Sequence, residues 1–122
     1  MKKILIIDDE KEILDLLKKK LEQNNYAVLI ATNGPEALAI SGAQKPDLIL
    51  LDIAIPQMDG YVICEKLKFD TSTKDIPVIF LTGKDFDPKT VLSRCQNLGG
   101  AGFFSKMGGL NKLIDEIKAI IG

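Results

Sequence analysis

The 122-residue sequence has no histidine, no tryptophan and only two cysteines. Without an imidazole, the chain can form neither a Ser–His or Cys–His nucleophilic pair nor a His-ligated zinc site. Any chemistry must therefore depend on carboxylates, hydroxyls or amines. Cys64 and Cys95 form no CxxC motif and no disulfide framework, so we expect two reduced, partly buried thiols, as is usual in the cytoplasm.

The sequence also lacks a charge excess and a long apolar run. Its 16 basic and 17 acidic side chains give a net charge of -1, which predicts no direct binding to nucleic acid. The apolar run Ile4–Ile7 near the N-terminus is too short for a signal-peptide core or a membrane span. With 46% hydrophobic and 27% charged residues, the composition predicts one globular, cytoplasmic domain over residues 1–122 with no membrane contact.

Short apolar runs alternate with segments that have helical spacing. Runs such as LILL and VIFL do not alternate apolar with polar residues, which is typical of parallel strands covered on both faces. With right-handed crossovers, this alternation predicts an α/β fold: a flavodoxin-like, doubly wound (βα)5 architecture with a five-stranded parallel sheet of order 2-1-3-4-5. The predicted strands are Ile4–Ile7, Ala27–Ala31, Leu48–Leu51, Val78–Leu81 and Gly102–Phe104.

Helix boundaries are marked by capping residues, prolines and glycines. Asn33-Gly34-Pro35 and Asp87-Pro88 place a capping residue before a proline, which is typical of a helix start. Met58-Asp59-Gly60 predicts a turn and the N-cap of the third helix, and Gly99-Gly100 predicts the end of the fourth.

Polar side chains follow four of the five predicted strands. Ligands of open parallel sheets bind at the carboxyl ends of the strands, near the point where the strand order reverses. We therefore expect these side chains to converge, and the exception, strand 2, is an edge strand in the predicted order. The side chains are Asp8, Asp9 and Glu10 after strand 1, Asp52 after strand 3, Thr82 after strand 4 and Lys106 after strand 5.

Converging carboxylates repel one another unless a cation neutralises them. Oxygen-only ligands favour Mg²⁺, with Mn²⁺ as the alternative, and such an ion commonly accepts a phosphoryl oxygen as well. Lys106 would supply a fixed positive charge and Thr82 a hydroxyl donor for phosphoryl oxygens. Asp52 is then a candidate nucleophile that forms an aspartyl phosphate. Each residue alone has an ordinary explanation as a cap, turn or surface charge, so the functional interpretation depends on their joint placement.

Four motifs, ILIIDDE, LILLDIAIPQMDGY, VIFLTGKD and GFFSK, occur in this order. In these motifs and their spacing the sequence resembles the receiver domain of two-component response regulators, of the chemotaxis-regulator type, over essentially its whole length. The resemblance implies that Asp52 is the phosphoacceptor. It also implies that Mg²⁺ is bound by Asp8, Asp9, Asp52 and the backbone carbonyl of Ala54.

The resemblance assigns further roles. Thr82 would be the switch hydroxyl, Lys106 the phosphate-contacting lysine and Phe103 the aromatic switch residue, while Ala54 and Lys84 would influence the lifetime of the phosphoryl group. A histidine kinase or histidine phosphotransfer protein would donate that group. The face formed by the fourth helix, fifth strand and fifth helix would then control a downstream protein target or output domain. Such a domain is a signalling phosphoacceptor rather than an enzyme, although it promotes its own phosphorylation and dephosphorylation.

The sequence departs from the family pattern beside the lysine. Met107 stands where the family usually has proline, so we expect the loop that carries Lys106 to differ. Phe103 stands where tyrosine is frequent, so a switch here would depend on packing alone.

Two other functions fit the sequence less well. A phosphatase of the haloacid dehalogenase type needs Asp-x-Asp after strand 1, where this chain has Asp8-Asp9-Glu10. A flavin or dinucleotide carrier needs a phosphate-binding loop there instead of carboxylates. The remaining alternative is a receiver-like interaction domain that signals without phosphorylation.

Overall fold

A computed structural model describes residues 1–55, 57–83, 86–106 and 108–122 of the chain. Its five strands form one parallel sheet in the order β2-β1-β3-β4-β5. The sheet confirms the predicted flavodoxin-like topology, and no predicted strand differs by more than about one residue at either end. The strands are β1 (Lys3–Ile7), β2 (Ala27–Ala31), β3 (Leu48–Asp52), β4 (Val78–Thr82) and β5 (Gly102–Ser105).

A helix follows each strand, and the predicted capping residues lie at three of the helix starts. The side chains of Asn33, Asp59 and Asp87 each accept a hydrogen bond from a backbone N–H in the first turn. Gly99, with φ +73°, follows the end of the fourth helix and takes a left-handed conformation that glycine adopts without strain. The helices are α1 (Lys11–Gln23), α2 (Gly34–Gln44), α3 (Gly60–Phe69), α4 (Pro88–Asn97) and α5 (Leu110–Ile121).

The sheet is covered on both faces by helices. One core lies under α2, α3 and α4 and includes Leu51 and Phe80, and the other lies under α1 and α5 and includes Leu50 and Ile79. All residues of β3 and β4 are buried, which is why these strands are apolar at consecutive positions. Each fully buried aliphatic side chain contributes about 1.5–3 kcal/mol. Among the described residues, no helix has the length and apolar character that a membrane crossing requires.

Parallel pairing brings the carboxyl ends of the strands to one edge of the sheet. Asp52 at the end of β3 is in register with Leu81, and Thr82 at the end of β4 is in register with Ser105. The chain passes from β1 to β2 on one side and returns to β3 on the other. The strand order therefore reverses between β1 and β3, where open parallel sheets bind ligands.

Gly60, the first residue of α3, packs against the backbone that follows β3. Its N–H donates a hydrogen bond of 2.8 Å to the carbonyl oxygen of Ile53. A Cβ at this position would lie 2.8 Å from Ile53 Cα and would also contact the carbonyl oxygen of Asp52. Because both neighbours are backbone atoms, a side chain here would have to displace the loop that carries Asp52.

We predict that Gly60→Ala lowers the free energy of unfolding by about 1–3 kcal/mol, because the added methyl group overpacks the backbone. Gly42→Ala is the matched control: Gly42 lies within α2, and a Cβ there meets nothing within 4 Å. That change should raise stability by about 0.5–1 kcal/mol through helix propensity. Urea unfolding measures both values, and equal effects of the two substitutions would contradict the close approach at Gly60.

The two cysteines, Cys64 on α3 and Cys95 on α4, are free thiols as the sequence predicted, but they are buried rather than partly buried. Burial raises the pKa of the Cys64 thiol to about 11 and raises the pKa of Cys95 above its ordinary value. Since the thiolate is the nucleophile, both thiols are held in their unreactive form at neutral pH.

We predict that neither thiol of the folded chain is alkylated appreciably by iodoacetamide at pH 8. With a pKa of about 11, roughly one Cys64 thiol in a thousand is ionised at that pH, and its side chain is fully buried. Both cysteines should react readily in denaturant, which mass spectrometry of the labelled chain measures. Rapid labelling of Cys64 under native conditions would contradict this account.

Candidate functional site

Four of the predicted side chains lie together at the carboxyl edge of the sheet. Asp8 follows β1 directly, Asp52 ends β3, Thr82 ends β4, and Lys106 follows β5. The backbone N–H of Lys106 donates a hydrogen bond of 2.8 Å to the carbonyl oxygen of Thr82, which holds the start of the lysine loop against β4. Lys106 is therefore positioned by a backbone hydrogen bond that continues the β4–β5 pairing beyond the end of β5.

The ammonium group of Lys106 lies between three carboxylates. Its Nζ is 2.8 Å from Asp8 Oδ2, 2.7 Å from Glu10 Oε1 and 3.1 Å from Asp52 Oδ2. It donates hydrogen bonds to Glu10 and Asp52, whereas its contact with Asp8 is an ion pair without hydrogen-bond geometry. This one cation therefore neutralises part of a triply acidic cluster.

Two short turns direct the buried carboxylates toward the lysine. Asp8 Oδ1 accepts a hydrogen bond of 2.9 Å from the N–H of Glu10, and Asp52 Oδ1 accepts one of 3.1 Å from the N–H of Ala54. Each aspartate thus bonds the backbone two residues further on, which is the geometry of an Asx turn. The second oxygen of each carboxylate, Oδ2, is left facing Lys106.

Burial and charge act against each other in this cluster. Asp8 is fully buried, and its loss of hydration raises the pKa of its carboxyl group, although Lys106 and the Glu10 N–H lower it in part. Burial alone would lower the pKa of Lys106, but Asp8, Glu10 and Asp52 outweigh it and raise that pKa above the ordinary value. The lysine is therefore a permanent cation at neutral pH.

Within the described ranges, one group of carboxylates has the arrangement of a metal site. Oxygen atoms of Asp8, Glu10 and Asp52 lie within 4.8 Å of one another. Asp8 Oδ2 is buried and pairs with the Lys106 ammonium by charge, without the geometry of a hydrogen bond, so it can accept a further ligand. Hard oxygen ligands of this kind suit a divalent cation such as Mg²⁺ or Ca²⁺, and the residues present therefore fit a metal ion.

The composition of this group differs in one residue from the set assigned by resemblance. Asp9 is exposed and lies outside the group, whereas Glu10 belongs to it. In the sequence, Glu10 is the third acidic residue of the run Asp-Asp-Glu after strand 1. The pattern does not say which of these three side chains turn toward the site. The assignment of Asp9 as a metal ligand stays a prediction.

The other predicted residues lie around this cluster or outside the described part of the chain. Thr82 is buried at the end of β4. Phe103 is half-buried on β5 and packs against the core beneath α3 and α4. Ala54 is exposed, two residues after Asp52. Lys84 and Met107 lie outside the described residues, so the roles predicted for them stay predictions.

We predict that Lys106→Met lowers the free energy of unfolding by up to about 3 kcal/mol, because it leaves buried carboxylates without their cation. Adding Asp8→Asn should recover part of the loss, since the two residues interact and their effects are not additive. Lys112→Met, at an exposed lysine of α5, is the control and should change stability by less than about 0.5 kcal/mol. Equal urea midpoints for the two lysine variants would contradict a stabilising role of Lys106.

Relatives of the chain were found by sequence. It is 37% identical over 120 residues to the alkaline phosphatase synthesis transcriptional regulatory protein PhoP of Bacillus subtilis, a match covering 98% of the chain and 48% of that protein. It is 45% identical over 83 residues to the response regulator PleD of Caulobacter vibrioides, covering 68% of the chain and 18% of that protein. The chain thus spans about half or less of these relatives.

Solved structures agree with the sequence matches. A putative response regulator from Chloroflexus aurantiacus superposes with a TM-score of 0.91 at 27% identity, covering 98% of this chain and 97% of that one. The receiver domain of a signal transduction histidine kinase from Syntrophus aciditrophicus gives 0.88 at 34% identity, covering 99% and 90%. The sequence model of the response regulator receiver domain family matches residues 4–118. The chain therefore belongs to this family.

Proposed function

We propose that Asp52 accepts a phosphoryl group from a phosphohistidine of a histidine kinase or histidine phosphotransfer protein, with Mg²⁺ bound at the acidic cluster. The observation that carries the proposal is the environment of Asp52 Oδ2. This oxygen belongs to a buried side chain, lies 3.1 Å from the ammonium of Lys106 and shares that ammonium with the buried Asp8. Membership of the receiver family supports the same role.

In the transfer, an oxygen of the Asp52 carboxylate forms a bond to phosphorus while the bond from phosphorus to the donor's imidazole nitrogen breaks. A carboxylate has no proton to lose and needs no base to activate it, and with a proton on its second ring nitrogen the donor leaves as a neutral imidazole. Lys106 stays charged throughout and can stabilise the negative charge that develops on the phosphoryl oxygens. Thr82, at the end of the next strand, would donate its hydroxyl hydrogen bond to one of these oxygens.

A divalent cation would be held by Asp8, Asp9 and Asp52 with the backbone carbonyl of Ala54, and it would supply further positive charge for the phosphoryl oxygens. Mn²⁺ is the alternative to Mg²⁺, since both accept carboxylate and carbonyl oxygens. Ala54 and Lys84 come two residues after Asp52 and Thr82 in the sequence, and we propose that they influence how long the phosphoryl group persists.

The proposed output is a shift between two conformations. A phosphoryl group on Asp52 adds charge and hydrogen-bond acceptors beside Thr82, and Phe103 is half-buried on the neighbouring strand. Attraction of Thr82 toward the phosphoryl group would turn Phe103 inward and change the face formed by α4, β5 and α5. A downstream protein or output domain would bind that face.

Three further proposals follow from this role. The chain is a signalling phosphoacceptor and not an enzyme with a separate substrate, although its own residues promote its phosphorylation and dephosphorylation. It acts in the cytoplasm, which its buried free thiols support. Its partners are proteins rather than nucleic acid or membrane, which a net charge of -1 supports.

We predict that incubation with acetyl phosphate and Mg²⁺ adds one phosphoryl group to the chain, detected by mass spectrometry of the intact protein. Removal of the metal with a chelator should abolish the gain, and so should Asp52→Asn. Asp75→Asn, at an exposed aspartate of the turn before β4, is the matched control and should leave it unchanged. A folded wild-type chain that gains no phosphoryl group would favour signalling without phosphorylation.

A further inference from the structure

Glu10 lies at the N-cap of α1 but does not cap the helix. Its carbonyl oxygen accepts the N–H of Leu14 at 3.0 Å, as expected for this position, yet its side chain makes no capping hydrogen bond. Ser, Thr, Asp and Asn are favoured at N-caps because their short side chains bond the first-turn N–H groups. Glu10 instead extends to Lys106, 96 residues away in sequence, which indicates a role other than helix capping.

The three carboxylates around Lys106 differ greatly in exposure. The side chains of Asp8 and Asp52 are 0% and 3% exposed, whereas that of Glu10 is 59% exposed. The ammonium therefore lies between a buried acidic pair and one acid at the solvent boundary. It donates hydrogen bonds to Glu10 and Asp52, and Asp8 Oδ2 accepts none.

The exposure of each carboxylate matters because the ammonium has three N–H groups but only one position. It cannot make its best contact with all three carboxylates at once. Lys106 Nζ lies 2.8 Å from Asp8, 2.7 Å from Glu10 and 3.1 Å from Asp52, so its charge is divided among three acids and Glu10 takes one of its hydrogen bonds. The exposed Glu10 is also the carboxylate that water can rehydrate at least cost when the ammonium leaves it.

We propose that Glu10 is a positioning residue for Lys106. It takes up part of the charge of the ammonium, which weakens the pairing of Lys106 with Asp8 and Asp52 and so favours binding of a divalent cation there, and it lets a phosphoryl group on Asp52 replace Glu10 as the acceptor of the ammonium. The inference rests on the proposed function, which supplies the cation and the phosphoryl group. Glu10 acts only through Lys106 in this account and touches neither.

The test measures the affinity of the 122-residue chain for Mg²⁺ by backbone-amide NMR titration, without any phosphodonor. Glu10→Gln should weaken binding about three- to fivefold, because the ammonium then divides its charge between Asp8 and Asp52 alone and pairs with them more strongly; this is the size expected of a partly exposed ion pair. Glu12→Gln removes the same charge from an exposed acid in the first turn of α1 and should weaken binding less than about twofold.

The decisive comparison repeats these titrations in the Lys106→Met background. If Glu10 acts through the lysine, Glu10→Gln should there have no larger effect than Glu12→Gln. An undiminished effect would overturn the proposal and make Glu10 a direct metal ligand. An effect of Glu10→Gln that never exceeds that of Glu12→Gln would also overturn it, as would a wild-type chain that binds no Mg²⁺.

A second measurement needs no lysine variant and therefore remains decisive if Lys106→Met does not fold. The ¹⁵Nζ resonance of Lys106 in the metal-free chain should shift in Glu10→Gln and stay in place in Glu12→Gln. An unshifted resonance in both would overturn the proposal. The proposed function can fail independently of this inference. In that case the chain binds Mg²⁺ with the expected dependence on Glu10 but gains no phosphoryl group on Asp52.

Discussion

The site depends on one ion cluster, in which the Lys106 ammonium is shared by Asp8, Glu10 and Asp52. Two of these carboxylates are buried at the ends of neighbouring strands, where their mutual repulsion is little reduced by water. The cation that relieves this repulsion follows β5, an edge strand that is separated from β3 by β4. The parallel fold is thus what brings together groups that are 98 residues apart at their extremes, Asp8 and Lys106.

The surrounding backbone fixes these groups before any ligand arrives. Asx turns use one oxygen of Asp8 and one of Asp52, so that each carboxylate can rotate little. On the outer side of the β3 loop, Gly60 contacts the backbone of Asp52 and Ile53 without room for a side chain. Preorganised charges of this kind stabilise a transition state without the cost of reorganising at the moment of reaction.

Much of the fold and part of the site could be predicted because the determining signals are local. Buried parallel strands require consecutive apolar residues, and β3 and β4 have them. Given the strand order, the rule that ligands bind at carboxyl ends predicted that Asp8, Asp52 and Lys106 would meet, as they do.

The acids after strand 1 were harder to assign, for a local reason. Asp9 and Glu10 are consecutive, and which of them turns inward depends on the backbone dihedral angles where the chain enters α1. Composition and periodicity carry no information on those angles. Glu10 adopts φ -88° and ψ 109°, and its longer side chain reaches the lysine while Asp9 stays exposed. The half-burial of Phe103 likewise depends on how α4 packs, which no pattern within β5 specifies.

The distribution of buried side chains bears on which part of the molecule moves most easily. In α4 two residues, Val91 and Cys95, are buried, compared with three in α5 and five in α3. Arg94 of α4 stacks on the ring of Tyr61 in α3, 3.8 Å from its centroid, but an exposed cation–π contact contributes only about 0.5–1 kcal/mol. Local stability follows buried apolar contact, so α4 costs less to displace than α3 or α5. A switch that changes the face formed by α4, β5 and α5 would therefore act on the helix of that face that is held least firmly.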